Sequence, residues 1–141
     1  MKSLGLCFLI YDKINHEELW YNWLKNVDDK KYKIYIHYKN DSKLKYFEKY
    51  KLNNCIKTNY EDQTIPISCN LLFREAYKDE EVYKFLMLSG SCVPLKSFDY
   101  IYQQLTRDNY GYINVSPQEQ CFPNCNSLLN NIEKKIYIKI S

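Results

Sequence analysis

Apolar and polar residues follow one another along the chain in two alternating patterns. Segment 4–11 contains an apolar run, and segment 32–38 is rich in β-branched and aromatic residues, which is typical of strands. Between them, apolar residues recur every three or four positions, as in an amphipathic helix. The alternation predicts strands at about 4–11, 32–38, 54–58, 83–88, 110–116 and 136–140, and helices at about 16–25, 42–50, 65–77, 97–105 and 127–134.

Residues at the predicted helix ends fit helix capping. Asn15 is placed as the N-cap of the first helix, with Glu18 completing a capping box. Ser97 is placed as the N-cap of the helix at 97–105, with Asp99 in its first turn. The side chains expected to face the core are Leu19, Trp20, Trp23, Leu24 and Val27 in the first helix, Leu44 and Phe47 in the second, Ile65, Cys69, Leu72 and Ala76 in the third, and Phe98, Ile101, Tyr102 and Leu105 in the fourth.

Strands and helices in alternation predict an α/β fold with an open, largely parallel sheet flanked by helices. In such sheets, ligands bind in the crevice at the carboxyl ends of the strands. We therefore expect the functional residues where the predicted strands end. The three segments expected to meet there are Tyr11-Asp12-Lys13, His37-Tyr38-Lys39 and Ser89-Gly90-Ser91-Cys92.

The third of these segments, Ser89–Cys92, follows the most apolar predicted strand and has two interpretations. Small residues allow a base, a sugar or a diphosphate to lie against the backbone, and Pro94 then fixes the exit of the chain. A plain tight turn into the next helix also favours Ser, Gly and Pro. The residues alone leave both interpretations open.

Composition is that of an ordinary globular protein and argues against some functions. The chain has 141 residues, of which 45% are hydrophobic and 26% charged, enough for one domain over residues 1–141. The net charge of +3 is small and the basic residues are scattered, which disfavours nucleic acid or an anionic membrane as the main partner. The apolar run 4–10 is too short to span a bilayer and precedes no cleavage site, so no anchor or secretory signal is expected.

The six cysteines form no recognisable metal-binding pattern. Cys121 and Cys125 make a lone C-x3-C without a second pair or a nearby histidine, whereas a structural zinc needs four ligands. Those two cysteines either pair with each other or stay reduced. Cys7 and Cys69 fall in apolar periodic segments, where a free thiol is a small buried hydrophobe. We therefore expect no metal site.

Four segments, in order, resemble the Core-2/I-branching glycosyltransferase family. The strongest likeness is carried by KFLMLSGSCVPLKSFDYIYQQL, since the family has a strand that ends in Leu-Ser-x-x-Cys-x-Pro-Leu and continues into a helix. The family's first and second strands are similar to CFLIYDK and KYKIYIHYK, and its helix before the Leu-Ser motif is similar to YEDQTIPISCNLLFREAYKD. The likeness covers about residues 6–114, nearly the whole chain.

The resemblance implies a GT-A-like (Rossmann-like) fold and a reaction that needs no metal. Such enzymes transfer a sugar, commonly N-acetylglucosamine or xylose, from a nucleotide donor to a hydroxyl of a glycan or protein acceptor, with inversion. We expect a UDP-linked donor. The step needs a general base for the acceptor hydroxyl and positive charge for the departing diphosphate. The chain has no Asp-x-Asp pair, which agrees with metal-independent chemistry.

The resemblance also places the family's catalytic carboxylate and diphosphate-binding basic residues beyond the last residue of this sequence. No catalytic residue is therefore named, and we expect an N-terminal donor-binding half that is inactive alone or is completed by a partner chain. The alternative is a non-catalytic module that binds a nucleotide-sugar or a protein partner. Relatives are usually anchored in Golgi-type membranes, whereas a soluble chain without an anchor is expected in the cytoplasm.

Eight residues are candidates for binding the donor, and several have a structural alternative. Asp12 and Lys13 would hold the ribose or base, or would form a solvated turn. His37 would approach the donor, or would lie inside the fold with a satisfied hydrogen bond. Glu61 and Asp62 precede a helix and are expected to serve its dipole rather than a sugar. The candidates are Asp12, Lys13, His37, Lys39, Ser89, Gly90, Ser91 and Cys92. Some relatives carry acidic residues at the positions of Lys39 and Cys92.

Overall fold

Three strands form one parallel sheet in the computed structural model, which describes residues 1–111. The middle strand is β1 (Ser3–Ile10), with β2 (Tyr32–Tyr38) on one side and β3 (Val82–Ser89) on the other. Because the three strands run in the same direction, their carboxyl ends meet at one rim of the sheet. The predicted α/β fold with a parallel sheet is confirmed, and it is consistent with part of a GT-A-like domain.

Helices flank the sheet on both sides within the described residues. On one side, which we call the first face, α1 (Glu17–Leu24) packs against β1 and α3 (Phe98–Thr106) against β3. On the other side, the second face, α2 (Thr64–Tyr77) packs against β1 and β2. Two single 3-10 turns, Asp29–Lys31 and Glu48–Tyr50, complete the regular elements of this part of the chain.

The first face carries the main core. Leu6 of β1 pairs with Ile34 of β2 and with Leu86 of β3, so that three aliphatic side chains lie side by side. The fully buried Phe8 ring meets the Trp20 ring edge-on, with 5.2 Å between the centroids. The buried members of this cluster are Leu6, Phe8, Ile10, Ile14, Trp20, Leu24, Ile34, Ile36, Leu44, Phe47 and Phe98.

The second face is thinner. Leu72 and Ala76 of α2 are buried against Cys7 of β1. Burial raises the pKa of the Cys7 thiol to about 12, so Cys7 is the small buried hydrophobe that its position in the sequence predicted. On β3, however, Phe85 and Met87 remain 38% and 40% exposed. The strand predicted as the most apolar is therefore only half-buried, because it lies at an edge of the described sheet.

The helix predicted at 42–50 is wrong, since only the 3-10 turn Glu48–Tyr50 forms there. The backbone groups of this segment are satisfied by the Glu17 side chain of α1 instead of by a helix. Leu44 and Phe47 are nevertheless buried, as predicted. The Glu17 carboxylate accepts backbone N–H groups from Lys45, Tyr46 and Phe47, at 3.0, 2.6 and 2.9 Å.

The strand predicted at 54–58 is also wrong. Only an isolated parallel bridge joins Ile36 of β2 to Lys51. Further along β2, the backbone N–H of Tyr38 donates to the sulfur of Cys55 at 3.4 Å rather than to a carbonyl oxygen. A side chain thus takes the place of a backbone partner, and no ladder forms.

Asn15 does not cap α1, contrary to the prediction. The helix begins at Glu17, and no side chain caps its first turn. The backbone N–H of Asn15 donates to the Gly90 carbonyl at 2.8 Å, and its side-chain amide donates to Ser91 Oγ at 3.3 Å. Asn15 therefore joins the loop after β1 to the loop after β3.

The cap of α3 is confirmed, because Ser97 Oγ accepts the backbone N–H of Tyr100 at 3.3 Å. One of the residues predicted to face the core does not. Leu19 is 44% exposed, because Trp20 and Leu24 fill the inward side of α1.

Met1–Arg107 forms one compact unit. The expectation of one domain over the whole chain stays a prediction. None of the helices in residues 1–111 has the length and hydrophobicity of a membrane-spanning segment. The helix predicted at 127–134, the strand at 136–140, most of the strand at 110–116, and the pair Cys121 and Cys125 lie outside the described residues.

Candidate functional site

The three segments predicted to meet at the rim do meet there. The backbone N–H of Lys39, after β2, donates to the carbonyl oxygens of Ile10 and Tyr11 at 3.1 and 3.0 Å. On the other side of β1, Asn15 donates to Gly90, after β3. The strand ends are thus held together by backbone hydrogen bonds, and this is the edge at which parallel sheets bind ligands.

A cavity of about 210 Å³ opens at this rim. Its lining combines aliphatic side chains of β1 with aromatic and polar side chains of the loops, and we call it the rim cavity. Tyr11 and Tyr60 are 61% and 93% exposed, so that both rings are available to a ligand. The lining residues are Leu9, Ile10, Tyr11, Lys39, Thr58, Asn59, Tyr60, Ile65 and Ser89.

Lys39 brings positive charge to the rim cavity. Its ammonium nitrogen lies 5.2 Å from the centre of the Tyr11 ring, within the range of a cation–π contact. Hydrogen bonds from Thr64 hold the pKa of the Asp62 carboxyl below its usual range, and the nearby charge of Lys39 lowers it further. The rim cavity therefore offers a cation beside aromatic surface.

The wall formed by 58–60 is fixed by the start of α2. The backbone N–H of Asn59 donates to Thr64 Oγ1 at 2.7 Å, and the backbone N–H of Thr64 donates to Asp62 Oδ1 at 2.9 Å. The Thr64 hydroxyl also contacts Asp62 Oδ1. Asp62 thus serves the first turn of the helix, which is the structural use expected from the sequence.

Gly90 is required by the packing of the chain. A Cβ atom on Gly90 would lie 2.7 Å from the backbone carbonyl oxygen of Lys13 and 3.6 Å from Ile10 Cγ2. Its φ is not positive, so the residue is not needed for an unusual backbone conformation. The space beside Gly90 is filled by the loop after β1. Of the two interpretations of Ser89–Cys92, this contact favours the tight turn.

The other residues of this turn also have structural partners. The backbone N–H of Cys92 donates to the Ser89 carbonyl at 3.2 Å, which closes a turn. Cys92 Sγ accepts the Ser89 N–H at 3.3 Å, and the Cys92 carbonyl accepts the Trp20 indole N–H at 2.9 Å. Ser91 Oγ accepts from Asn15. Among these candidates, only Ser89 lines the rim cavity.

His37 lies inside the fold and does not line the rim cavity. Its side chain is fully buried, and Nε2 accepts the backbone N–H of Ile56 at 3.0 Å. The neutral ring therefore carries its proton on Nδ1, for which residues 1–111 provide no hydrogen-bond partner. Burial lowers the pKa of His37. The histidine thus holds the segment that leads to the cavity wall, which is close to the structural alternative weighed from the sequence.

Asp12 and Lys13 lie at the rim, but neither lines the rim cavity. The Lys13 side chain is exposed, and its backbone fills the space beside Gly90. The cavity wall at 58–60 was missed by the sequence analysis, because this segment has no periodic pattern. The only signal was its position just before the predicted helix at 65–77.

Residues 1–111 bring together no group of three or more His, Cys, Asp and Glu side chains that could hold a metal ion. Comparison with known proteins gives one finding beyond this geometry. The family model of the Core-2/I-branching enzyme matches residues 6–126, which is most of the chain and includes every strand end at the rim. No curated protein and no solved structure matches the chain.

Proposed function

The chain belongs to the Core-2/I-branching enzyme family, and we propose that its rim cavity binds the nucleotide end of a sugar donor. Membership of this family indicates glycosyltransferase activity. The observation that carries the finer proposal is the position of the rim cavity at the joined ends of three parallel strands.

The size and lining of the rim cavity suit a nucleoside. Ligand pockets for whole drug-sized molecules measure roughly 300–1,000 Å³, and a cavity of about 210 Å³ takes only part of a nucleotide-sugar. Tyr60 and Tyr11 offer ring faces for a planar base. Lys39 is placed to donate to carbonyl or phosphate oxygens. We infer that the base enters the cavity and the diphosphate and sugar lie outside it.

The donor proposed is a UDP-linked sugar of the N-acetylglucosamine or xylose type, transferred without a metal to a hydroxyl of a glycan or protein. Within residues 1–111, Lys39 and Lys13 are the basic residues of the rim segments. Because positive charge stabilises a departing diphosphate, these two lysines would assist its binding. His37 is assigned no catalytic role, since its ring is fully buried and bonded to Ile56.

Calorimetric titration with UDP tests the nucleoside site. Tyr60→Ala should weaken UDP binding about tenfold, because base stacking on an aromatic ring contributes roughly 1–3 kcal/mol. Tyr77→Ala is the matched control, since Tyr77 is 81% exposed at the end of α2 and outside the rim cavity. Binding that is absent in the unaltered protein, or equally weakened by both substitutions, contradicts the proposal.

Release of UDP from UDP-N-acetylglucosamine and UDP-xylose, measured with glycan and peptide acceptors, tests for transfer. Acceptor-dependent release that falls in Tyr60→Ala identifies an active transferase with its donor in the rim cavity. Saturable UDP binding without any release identifies a module that binds the nucleotide-sugar but does not transfer the sugar. The two outcomes separate the family activity from the binding proposal.

A further inference from the structure

A second cavity, of about 650 Å³, lies beside the amino-terminal half of β2, away from the rim. We call it the β2 edge groove. The strand contributes Tyr32, Lys33, Ile34 and Tyr35 to its lining, and the turn after α2 contributes the carboxylates of Asp79 and Glu81. Its volume is within the range of pockets that enclose ligands, and none of the donor candidates lines it.

The backbone of β2 presents hydrogen-bonding groups to this groove. In a strand, successive residues direct their N–H and C=O groups to opposite sides. The carbonyl of Ile36 faces away from β1, because it accepts the N–H of Leu52 at 2.9 Å. By the same alternation, the N–H and C=O of Ile34, the C=O of Tyr32 and the N–H of Ile36 also face outward. The N–H of Ile36 is taken up by the parallel bridge to Lys51, whereas residues 1–111 provide no partner for the other three groups.

The outer edge of β2 already pairs with another segment of the chain at one position. Lys51 forms a parallel bridge with Ile36, and the next residue makes the hydrogen bond to the Ile36 carbonyl. This pairing stops at one residue, so that the rest of the outer edge borders the open groove. Unpaired edge groups beside a groove are the geometry to which peptides bind by strand addition.

We propose that the β2 edge groove binds an extended peptide segment of a protein partner, which adds as a short strand beside Tyr32–Ile34 and places a basic side chain near Asp79 and Glu81. The partner is recognised by its backbone and by one cation. This interaction is separate from the rim cavity and does not depend on the proposed function.

The groove is lined by three acidic residues, Asp29, Asp79 and Glu81, and by two lysines, Lys30 and Lys33, so its charge favours a basic peptide. Lys33 lies on the same face of β2 as Tyr35. Its Nζ lies 3.9 Å from Asp79 and 3.8 Å from Glu81, so one ammonium group serves two carboxylates. Burial, with Asp79 among the nearby negative charges, raises the pKa of Tyr35 to about 12, so its hydroxyl remains a hydrogen-bond donor. An arginine or lysine of the peptide would supply the second cation.

The test uses the full chain and the blocked peptide acetyl-Thr-Val-Arg-Val-Thr-amide, followed by NMR. Saturable shifts of the Ile34 amide signal are expected, since this N–H group would gain a carbonyl partner. A peptide methylated on the backbone nitrogens of both valines should lose binding at least tenfold. The same peptide with Glu in place of Arg should bind more weakly. Absence of saturable shifts at Ile34, or equal binding of the methylated peptide, overturns the proposal.

Glu81→Gln tests the charged contact with little risk to folding. It should weaken binding of the arginine peptide about two- to fivefold, in line with a partly exposed ion pair. Glu80→Gln is the matched control, because Glu80 is exposed and does not line the groove. Lys39→Ala should bind the peptide normally even if it loses UDP. Equal weakening by Glu81→Gln and Glu80→Gln, or loss of peptide binding in Lys39→Ala, contradicts a specific site at the edge of β2.

Discussion

On the first face of the sheet, α1 and α3 bury eleven side chains in one cluster, whereas on the second face α2 buries a cluster of three. The first cluster is aromatic and aliphatic, with Phe8 and Trp20 in edge-on contact at its centre. The second face instead buries polar side chains, namely those of His37 and Ser68. The rim cavity extends over this thinner side, toward 58–60 and the start of α2.

This difference indicates that the two faces of the sheet have different roles. Close packing of large apolar side chains supplies most of the stability of a domain, while binding loops are drawn from its less stable parts. We infer that the first face fixes the strand ends and that the second face carries the adaptable wall of the ligand site. Four predictions would break or sharpen this comparison.

Phe8→Ala should have the largest effect. Phe8 is fully buried at the centre of the first face, and the substitution should lower the free energy of unfolding by about 4 kcal/mol. Leu72→Ala, its counterpart on the second face, should cost about 2–3 kcal/mol. Urea unfolding followed by circular dichroism measures both. If Leu72→Ala costs as much as Phe8→Ala, the two faces do not differ in stability.

Gly90→Ala should come next, with a loss of about 2 kcal/mol in unfolding free energy. The added methyl group would lie 2.7 Å from the Lys13 carbonyl oxygen, and a backbone atom cannot move aside without shifting the loop. Leu95→Ala, an 85% exposed position in the loop that follows, should stay within about 0.5 kcal/mol. Equal stability of the two variants would show that the loops are not locked against the first face.

Glu17→Gln should lower the unfolding free energy by about 1.5 kcal/mol. The neutral amide weakens the charge-assisted hydrogen bonds that Glu17 accepts from three backbone N–H groups, which hold Leu44 and Phe47 in the first face. Glu18→Gln, at the exposed neighbouring position, should change stability by less than about 0.5 kcal/mol. Indistinguishable urea midpoints for the two variants would refute this role of Glu17.

The smallest expected effect is a dependence on pH that arises from the second face. Because burial lowers the pKa of folded His37, the unfolded chain binds more protons once the pH falls below about 6.5. The contribution of the neutral His37 ring to the free energy of unfolding is therefore complete above about pH 6.5. It is lost as the pH falls through the pKa of His37 in the folded state. His37→Gln should flatten the pH dependence of unfolding between pH 7.5 and 5. His16→Gln, at the only other histidine and an exposed one, should leave it unchanged.

Strong periodic patterns made most of the fold predictable. The three strands of the sheet and the cap at Ser97 follow from local sequence, since β-branched runs and capping residues act over short distances. The segment 42–50 has the pattern of a helix, but Glu17, far away in sequence, takes its backbone N–H groups. The segment 54–58 fails as a strand because Cys55 accepts from β2 through its sulfur.

The sequence predicted where the candidate site lies, but it did not predict all the residues that line it. Parallel topology requires the strand ends to meet, so Lys39 and Ser89 were found at the rim cavity. Tyr60 was not predicted at the rim cavity, because its position depends on the hydrogen bonds around Thr64 and not on a periodic pattern in its own segment. Gly90 stays a prediction as a donor-binding residue, and the backbone atom that approaches it in the structure belongs to Lys13.

Both tryptophans of the chain lie on α1, and both indole N–H groups donate to carbonyl oxygens of the loop that follows β3. Trp20 bonds to Cys92 at 2.9 Å and Trp23 to Lys96 at 2.8 Å. Indole fluorescence responds to hydrogen bonding and to exposure to water. A displacement of this loop is therefore measurable as a change in the intrinsic emission of the unlabelled protein, on the stopped-flow time scale, without any engineered probe.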